Sequence, residues 1–403
     1  MSLVLGLIKE TKQPPDQRVP LSPVQCRELM QTHPGLKILV EPSPLRSFSD
    51  DEYRQEGVTV TEDLSACDFL LGIKEVKPDA LLPGKAYFFF SHTIKKQAYN
   101  RPLLQTILSK LVRLIDYETL TDPYGNRVIG FGRFAGIIGT YNGILGYGNK
   151  YDLFHLKPVH ECRDRAEMEQ ELSSAKLHNI KILVTGGGRS ANGAIETLSA
   201  LKVRKVTPYE FLTYHYMEPV YCQLHSKDYY EAKDGSGWVK EEFYKHPDRY
   251  QSTFMPYTRA CDLLLACHFW DPRTAPLFTR EEMRQPGFRI SVIADITCDV
   301  NGSIPSTIRT TTAQDPFYGY NPATESEGVP FDKSTLTVMA VDNLPSGLPR
   351  DASEMFGHDL IERILPAMLD GDKDGLLQRA TIAQDGKLTE KFGYLQGFAD
   401  GKD

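Results

Sequence analysis

One stretch constrains the fold more than any other: Lys181-Ile-Leu-Val-Thr-Gly-Gly-Gly-Arg-Ser-Ala-Asn-Gly-Ala-Ile-Glu-Thr-Leu198. A short aliphatic run leads into three glycines, and apolar residues at helical spacing follow. The pattern reads as strand, tight turn and helix. A helix that returns the chain beside its own strand builds a parallel sheet. The same alternation runs through the rest of the sequence. Strand-like runs fall at Leu3–Leu7, Lys37–Val40, Phe69–Ile73, Ala86–Phe90, Val112–Asp116, Leu263–Ala266, Arg289–Asp295 and Leu336–Val341. Helical patterns lie among them at Pro23–Thr32, Pro102–Lys110, Ala191–Leu201 and Glu354–Leu369.

The expected fold class is therefore α/β, with two doubly wound Rossmann-like domains and a cleft between them. A length of 403 residues suits two domains, at most three. With 41% hydrophobic and 25% charged residues, the composition excludes wholesale disorder and fibrous repeats. No run approaches the roughly 20 apolar residues of a membrane span. The N-terminal MSLVLGLIKETK lacks a basic leader and reads as a first strand rather than a signal peptide. The net charge of −7 disfavours nucleic acid and anionic membranes as partners. Seven cysteines without a CxxC pair suggest reduced thiols in a cytoplasmic enzyme. No residue pattern specifies an oligomeric state.

Two chain crossings are expected. In Gly130–Gly148 small residues recur every three or four positions, which suits a helix packed tightly on a neighbour and linking two domains. The second crossing lies near Asp342–Arg350, after which a helix and a polar tail follow. Residues 1–134 with 346–403 would form a substrate domain, and 135–345 a dinucleotide-binding domain. The aromatic, charged and hardly periodic segment 214–257 reads as an insertion in the latter.

Gly186 and Gly188 allow the turn and let backbone N–H groups approach a pyrophosphate, which the helix start at Arg189 and Ser190 also favours. Ala191 stands where the fingerprint expects its third glycine, and Gly193 follows two positions later. A second strand expected at Arg204–Thr207 ends in Thr207-Pro208 rather than in an acid for a ribose 2′-OH, and Glu210 comes only later. Arg189, with Arg204 and Lys205 near, suits a 2′-phosphate, although cations also belong on a solvated strand edge. The balance favours NADP over NAD.

In the first domain, charges stand where apolar strands end. Gly72-Ile-Lys74-Glu75 closes one strand, and Ser91-His92-Thr-Ile-Lys95-Lys-Gln97 follows another. Arg18 precedes the helix at Pro23. Open α/β sheets bind ligands beyond the carboxyl ends of their strands, so these groups are expected to converge. Lys74 among other cations and His92 make an acid–base pair. Arg18 offers a fork for a carboxylate. The alternative is a surface Lys–Glu pair and a core histidine.

The opening G-x-x-K-E-x-x-x-x-x-x-x-R-V-P-L-S-P and the GIKE and FSHT strand ends resemble the alanine dehydrogenase and saccharopine dehydrogenase superfamily. YFFFSHTIK, RLIDYE, RVIGFGRFAG, KHPDRY and DNLPSGLPRDASE bring the resemblance closest to lysine–ketoglutarate reductase and lysine-forming saccharopine dehydrogenases. These segments run from Gly6 to Glu354. The resemblance implies a reversible reaction in which L-lysine and 2-oxoglutarate condense to an imine that nicotinamide hydride reduces to saccharopine, with NADP or NAD and no metal. It implies Lys74 and His92 as the acid–base pair. Arg18, Lys95 and Gln97 would bind substrate carboxylates, with Glu75 and Glu118 tuning the charge. Asp295 and the turn Asp342, Asn343, Leu344 would border the nicotinamide.

Two rivals remain: an alanine dehydrogenase-like enzyme, and a non-catalytic nucleotide-binding subunit of the transhydrogenase type. Cys261, Cys267 and His268 surround an apolar strand and read as core groups rather than a metal cluster. His155, His160 and Cys162 lack a fourth ligand at metal spacing.

Overall fold

The computed structural model describes residues 3–13 and 16–402; Pro14 and Pro15 of the opening motif lie outside the described residues. The chain forms two compact units, Met1–Phe131 with Pro349–Asp403, and Gly132–Leu348. The crossings fall at 131/132 and 348/349 rather than at 134/135 and 345/346.

The sheet of the first unit is built from β1 (Leu3–Leu7), β2 (Leu36–Val40), β3 (Thr59–Val60), β4 (Phe69–Leu71), β5 (Ala86–Phe89), β6 (Arg113–Asp116), β17 (Thr381–Gln384) and β18 (Lys387–Leu388). Their order is β18-β17-β6-β5-β4-β1-β2-β3. From β3 to β6 all pairs are parallel, and β17 and β18 close the sheet antiparallel. The pleat sends Leu70, Tyr87, Phe89 and Leu114 to one core and Leu71, Phe88 and Ile115 to the other. Both faces are thus covered, as a parallel sheet of aliphatic strands requires. The expected polar tail is not wholly polar: Leu395 and Phe398 are buried in the first of these cores. The strand order turns back between β1 and β4, which places a ligand crevice beyond their carboxyl ends.

The second unit contains β7 (Lys181–Thr185), β8 (Arg204–Lys205), β9 (Val220–Leu224), β12 (Leu263–Ala266), β13 (Val292–Asp295), β14 (Phe317–Asn321), β15 (Ser326–Gly328) and β16 (Leu336–Met339). Their order is β15-β14-β16-β13-β12-β7-β9-β8, and the turn-back lies between β7 and β12. The strand beside β7 is β9, which corrects the reading of Arg204–Thr207 as the second strand. Val220, Cys222 and Leu224 are buried, whereas Arg204 and Lys205 are exposed, and a two-residue charged strand belongs at an edge. The segment 214–257 is corrected with it. It supplies a core strand, and only the small antiparallel pair β10 (Tyr230–Ala232) and β11 (Tyr250–Ser252) stands apart from the main sheet.

Helix Gly132–Tyr151 packs on helix Arg189–Ala200 through glycines. A Cβ on Gly136 would lie 1.9 Å from the Ser190 carbonyl oxygen, and one on Gly193 would lie 2.0 Å from that of Arg133. Gly193, expected at the cofactor, is thus committed to helix packing.

Candidate active site

Glu10 follows β1 and Lys74 follows β4, one on each side of the turn-back in the first sheet. The Glu10 carboxyl oxygens accept the backbone N–H groups of Ile73 at 2.6 Å and Lys74 at 2.9 Å, which fixes the loop that carries Lys74. Burial, reinforced by the Arg18 charge, holds the Lys74 ammonium below the ordinary lysine value, against the opposing pull of Asp16. Lys74 therefore releases its proton more readily than a solvated lysine.

His92 follows β5 in the left-handed region, with φ 54°. Such a backbone persists only where the surroundings hold it. The preceding residue supplies the hold: Ser91 donates to the buried Asp116 through its N–H at 2.9 Å and its Oγ at 2.5 Å. His92 Nδ1 lies 2.6 Å from Glu75 Oε1, while Lys12 Nζ lies 2.9 Å from Glu75 Oε2. Burial pushes Glu75 up, but hydrogen bonds from His92 and Lys12 outweigh it and bring the carboxyl down to about 2. An ionised Glu75 accepts from Nδ1–H, which leaves Nε2 as the atom for proton transfer.

Arg18 is buried, and its guanidinium lies over the Phe131 ring at 4.1 Å. It donates to Asp16 through Nε at 2.9 Å and Nη2 at 2.5 Å. The expectation of an open fork is corrected to this extent: one edge already serves Asp16. Glu118 holds Arg127 at 3.1 Å and stands 4.0 Å from Lys95, and Gln97 is exposed. Lys12, Asp16 and Asp116 lay inside the motifs that carry the resemblance, yet the motifs alone did not show what they hold.

In the second unit, a cavity of about 810 Å³ opens beyond the carboxyl ends of β7, β9 and β12. Gly186–Gly188, Arg189 and Ser190 line it. Gly186 has φ +93°, and a Cβ there would meet the His268 Cα at 2.8 Å, so only glycine fits. Gly188 caps helix Arg189–Ala200 without a side-chain hydrogen bond, which leaves the first N–H groups to an anion. The cavity thus suits a dinucleotide pyrophosphate. The other walls come from His225–Lys227 after β9, from Tyr229, Trp238, Lys240 and Tyr244, and from Cys267–Phe269 after β12, none of which the sequence pattern singled out as cofactor contacts.

The remaining expected cofactor residues stand outside the cavity lining. Asp295 is fully buried, and burial raises its carboxyl to about 6 despite hydrogen bonds from its own loop. Thr297 Oγ1 donates to one oxygen at 2.5 Å and Thr307 Oγ1 to the other at 2.6 Å, so Asp295 braces that loop. Asp342 is exposed, the Asn343 carbonyl accepts from Ser346, and Leu344 is buried beside Gly139. Among the described residues no group of three or more His, Cys, Asp or Glu is placed to hold a metal ion, and no helix is long and apolar enough to cross a membrane.

Comparison with solved structures places the fold. An L-alanine dehydrogenase superposes with a TM-score of 0.65 at 17% identity, covering 99% of both chains. A transhydrogenase from Sinorhizobium meliloti gives 0.57 at 14% identity, covering 96% of this chain and 100% of its own. The fold class is α/β, two Rossmann-like domains each built on a largely parallel sheet. The chain belongs to the alanine dehydrogenase/PNT family: residues 6–138 match the model of its N-terminal domain and 163–391 that of its C-terminal domain. Alpha-aminoadipic semialdehyde synthase of Arabidopsis thaliana is 30% identical over 97% of this chain, which spans 41% of that protein's length. The saccharopine dehydrogenase [NAD(+), L-lysine-forming] of Candida glabrata is 27% identical, with 90% of this chain and 91% of the relative covered.

Proposed function

We propose that the chain is a saccharopine dehydrogenase of the lysine-forming, lysine–ketoglutarate reductase type, interconverting saccharopine with L-lysine and 2-oxoglutarate. The observation that carries this reading is the 2.6 Å contact of His92 Nδ1 with Glu75, in the same cluster as a lysine of lowered proton affinity. Condensation needs a neutral amine, and Lys74 takes the proton from the ε-ammonium of the incoming lysine. The amine adds to C2 of 2-oxoglutarate, and His92 delivers a proton through Nε2 as the carbinolamine loses water. When bound, the nicotinamide supplies the hydride that reduces the imine. Arg18, Lys95 and Gln97 meet substrate carboxylates, and Glu118 sets the charge around Lys95.

We read NADP as the preferred cofactor. Glu210, the acid that would oppose it, accepts from the Thr207 N–H and hydroxyl as a helix cap, each at 2.8 Å. Arg189 lines the cavity, where a 2′-phosphate would gain from its charge. Steady-state oxidation of NADPH and NADH with lysine plus 2-oxoglutarate, against pyruvate plus ammonia, tests the proposal. Turnover on the first pair supports it. Turnover on the second alone points to an alanine dehydrogenase, and binding without turnover points to a transhydrogenase-type subunit.

A further inference from the structure

The strand beside β7 in a dinucleotide sheet ends where the adenosine ribose is read. Here that strand is β9, and the residues after it are His225-Ser226-Lys227. Among the described residues no carboxylate lines the cavity they border, whereas Lys227 and Lys240 line it together with Arg189. Both lysines are exposed at its wall. The acid nearest in sequence, Asp228, is turned away to accept the His225 N–H at 2.7 Å.

We propose that Lys227 and Lys240 read the adenosine 2′-phosphate of NADP(H). The assignment rests on the dehydrogenase reading of the second unit, and sets two lysines of segment 214–257 beside Arg189 in place of Arg204 and Lys205.

The test is direct titration of the full chain with NADPH, NADH, 2′,5′-ADP and 5′-AMP, independent of turnover. Wild type is expected to bind NADPH and 2′,5′-ADP at least tenfold tighter than their partners without the 2′-phosphate. Lys227→Ala and Lys240→Ala should each weaken the phosphorylated ligands about tenfold and leave NADH and 5′-AMP within twofold. Arg204→Ala and Lys205→Ala should leave the ratios unchanged. Equal losses for both ligand classes, or a wild-type preference for NADH, overturn the assignment while leaving the dinucleotide site intact. Failure to bind either dinucleotide overturns both. Preference for NADPH that the lysine variants lose, without turnover on lysine and 2-oxoglutarate, upholds the assignment and rejects only the proposed substrates.

Discussion

In the proposed reaction Lys74 and His92 divide the proton traffic, and each is held by a neighbour outside the pair: Glu10 under the Lys74 loop, Glu75 on His92 Nδ1. Lys74→Met and His92→Gln are each expected to lower turnover about 10²–10³-fold, with the double mutant losing far less than the product, in steady-state assays. Because the Arg18 charge holds the Lys74 ammonium down, Arg18→Gln should raise it. The acid limb of the pH–rate profile should then move to higher pH, alongside a raised Michaelis constant for 2-oxoglutarate. An unmoved limb would dissociate Lys74 from that limb. Glu75 also makes a stability prediction. Its carboxyl stands at about 2 against 4.5 when unfolded, so its contribution is present above pH 4.5 and lost as pH falls toward 2. The melting temperatures of wild type and Glu75→Gln should differ most above pH 4.5, by an energy of roughly 3 kcal/mol, and converge below it. The placement of Lys74 and His92 at strand ends was legible because charged residues after apolar strands are conspicuous. The capture of Arg18 by Asp16 was not, since a carboxylate two positions away in a loop faces its neighbour only for particular backbone angles.

At the scale of elements, periodicity located the long strands and helices but misjudged the short edge. Arg204–Lys205 follows the glycine-turn helix directly and so looked like the next strand. Val220–Leu224, buried among aromatic and charged neighbours, takes the place beside β7. Local pattern specifies a strand, whereas its neighbours are decided by which residues the core can bury. The glycines divide the same way. Gly136→Ala drives a methyl into a backbone carbonyl and should cost about 1–3 kcal/mol in urea unfolding, the usual size of overpacking. At Gly188 a Cβ meets nothing within 4 Å, so Gly188→Ala should leave stability unchanged yet weaken NADPH where the backbone approaches the pyrophosphate. Parallel unfolding curves and cofactor titrations separate the two effects.

For the molecule as a whole, alternating strands and helices foretold two parallel-sheet domains, and the glycine-spaced helix marked one crossing. The C-terminal segment was assigned to the first domain, but its strands stayed hidden, because Thr381 pairs with Ile115 across more than half the chain and no local periodicity reports such a partner. The measurement that bears most directly on the proposed activity is the initial rate of NADPH oxidation with L-lysine and 2-oxoglutarate together, with the product identified by mass. Saccharopine should form only when both substrates are present, and Lys74→Met should lose most of that rate. Oxidation of NADPH with pyruvate and ammonia but not with lysine and 2-oxoglutarate, or an unimpaired Lys74→Met enzyme, would contradict the proposed activity.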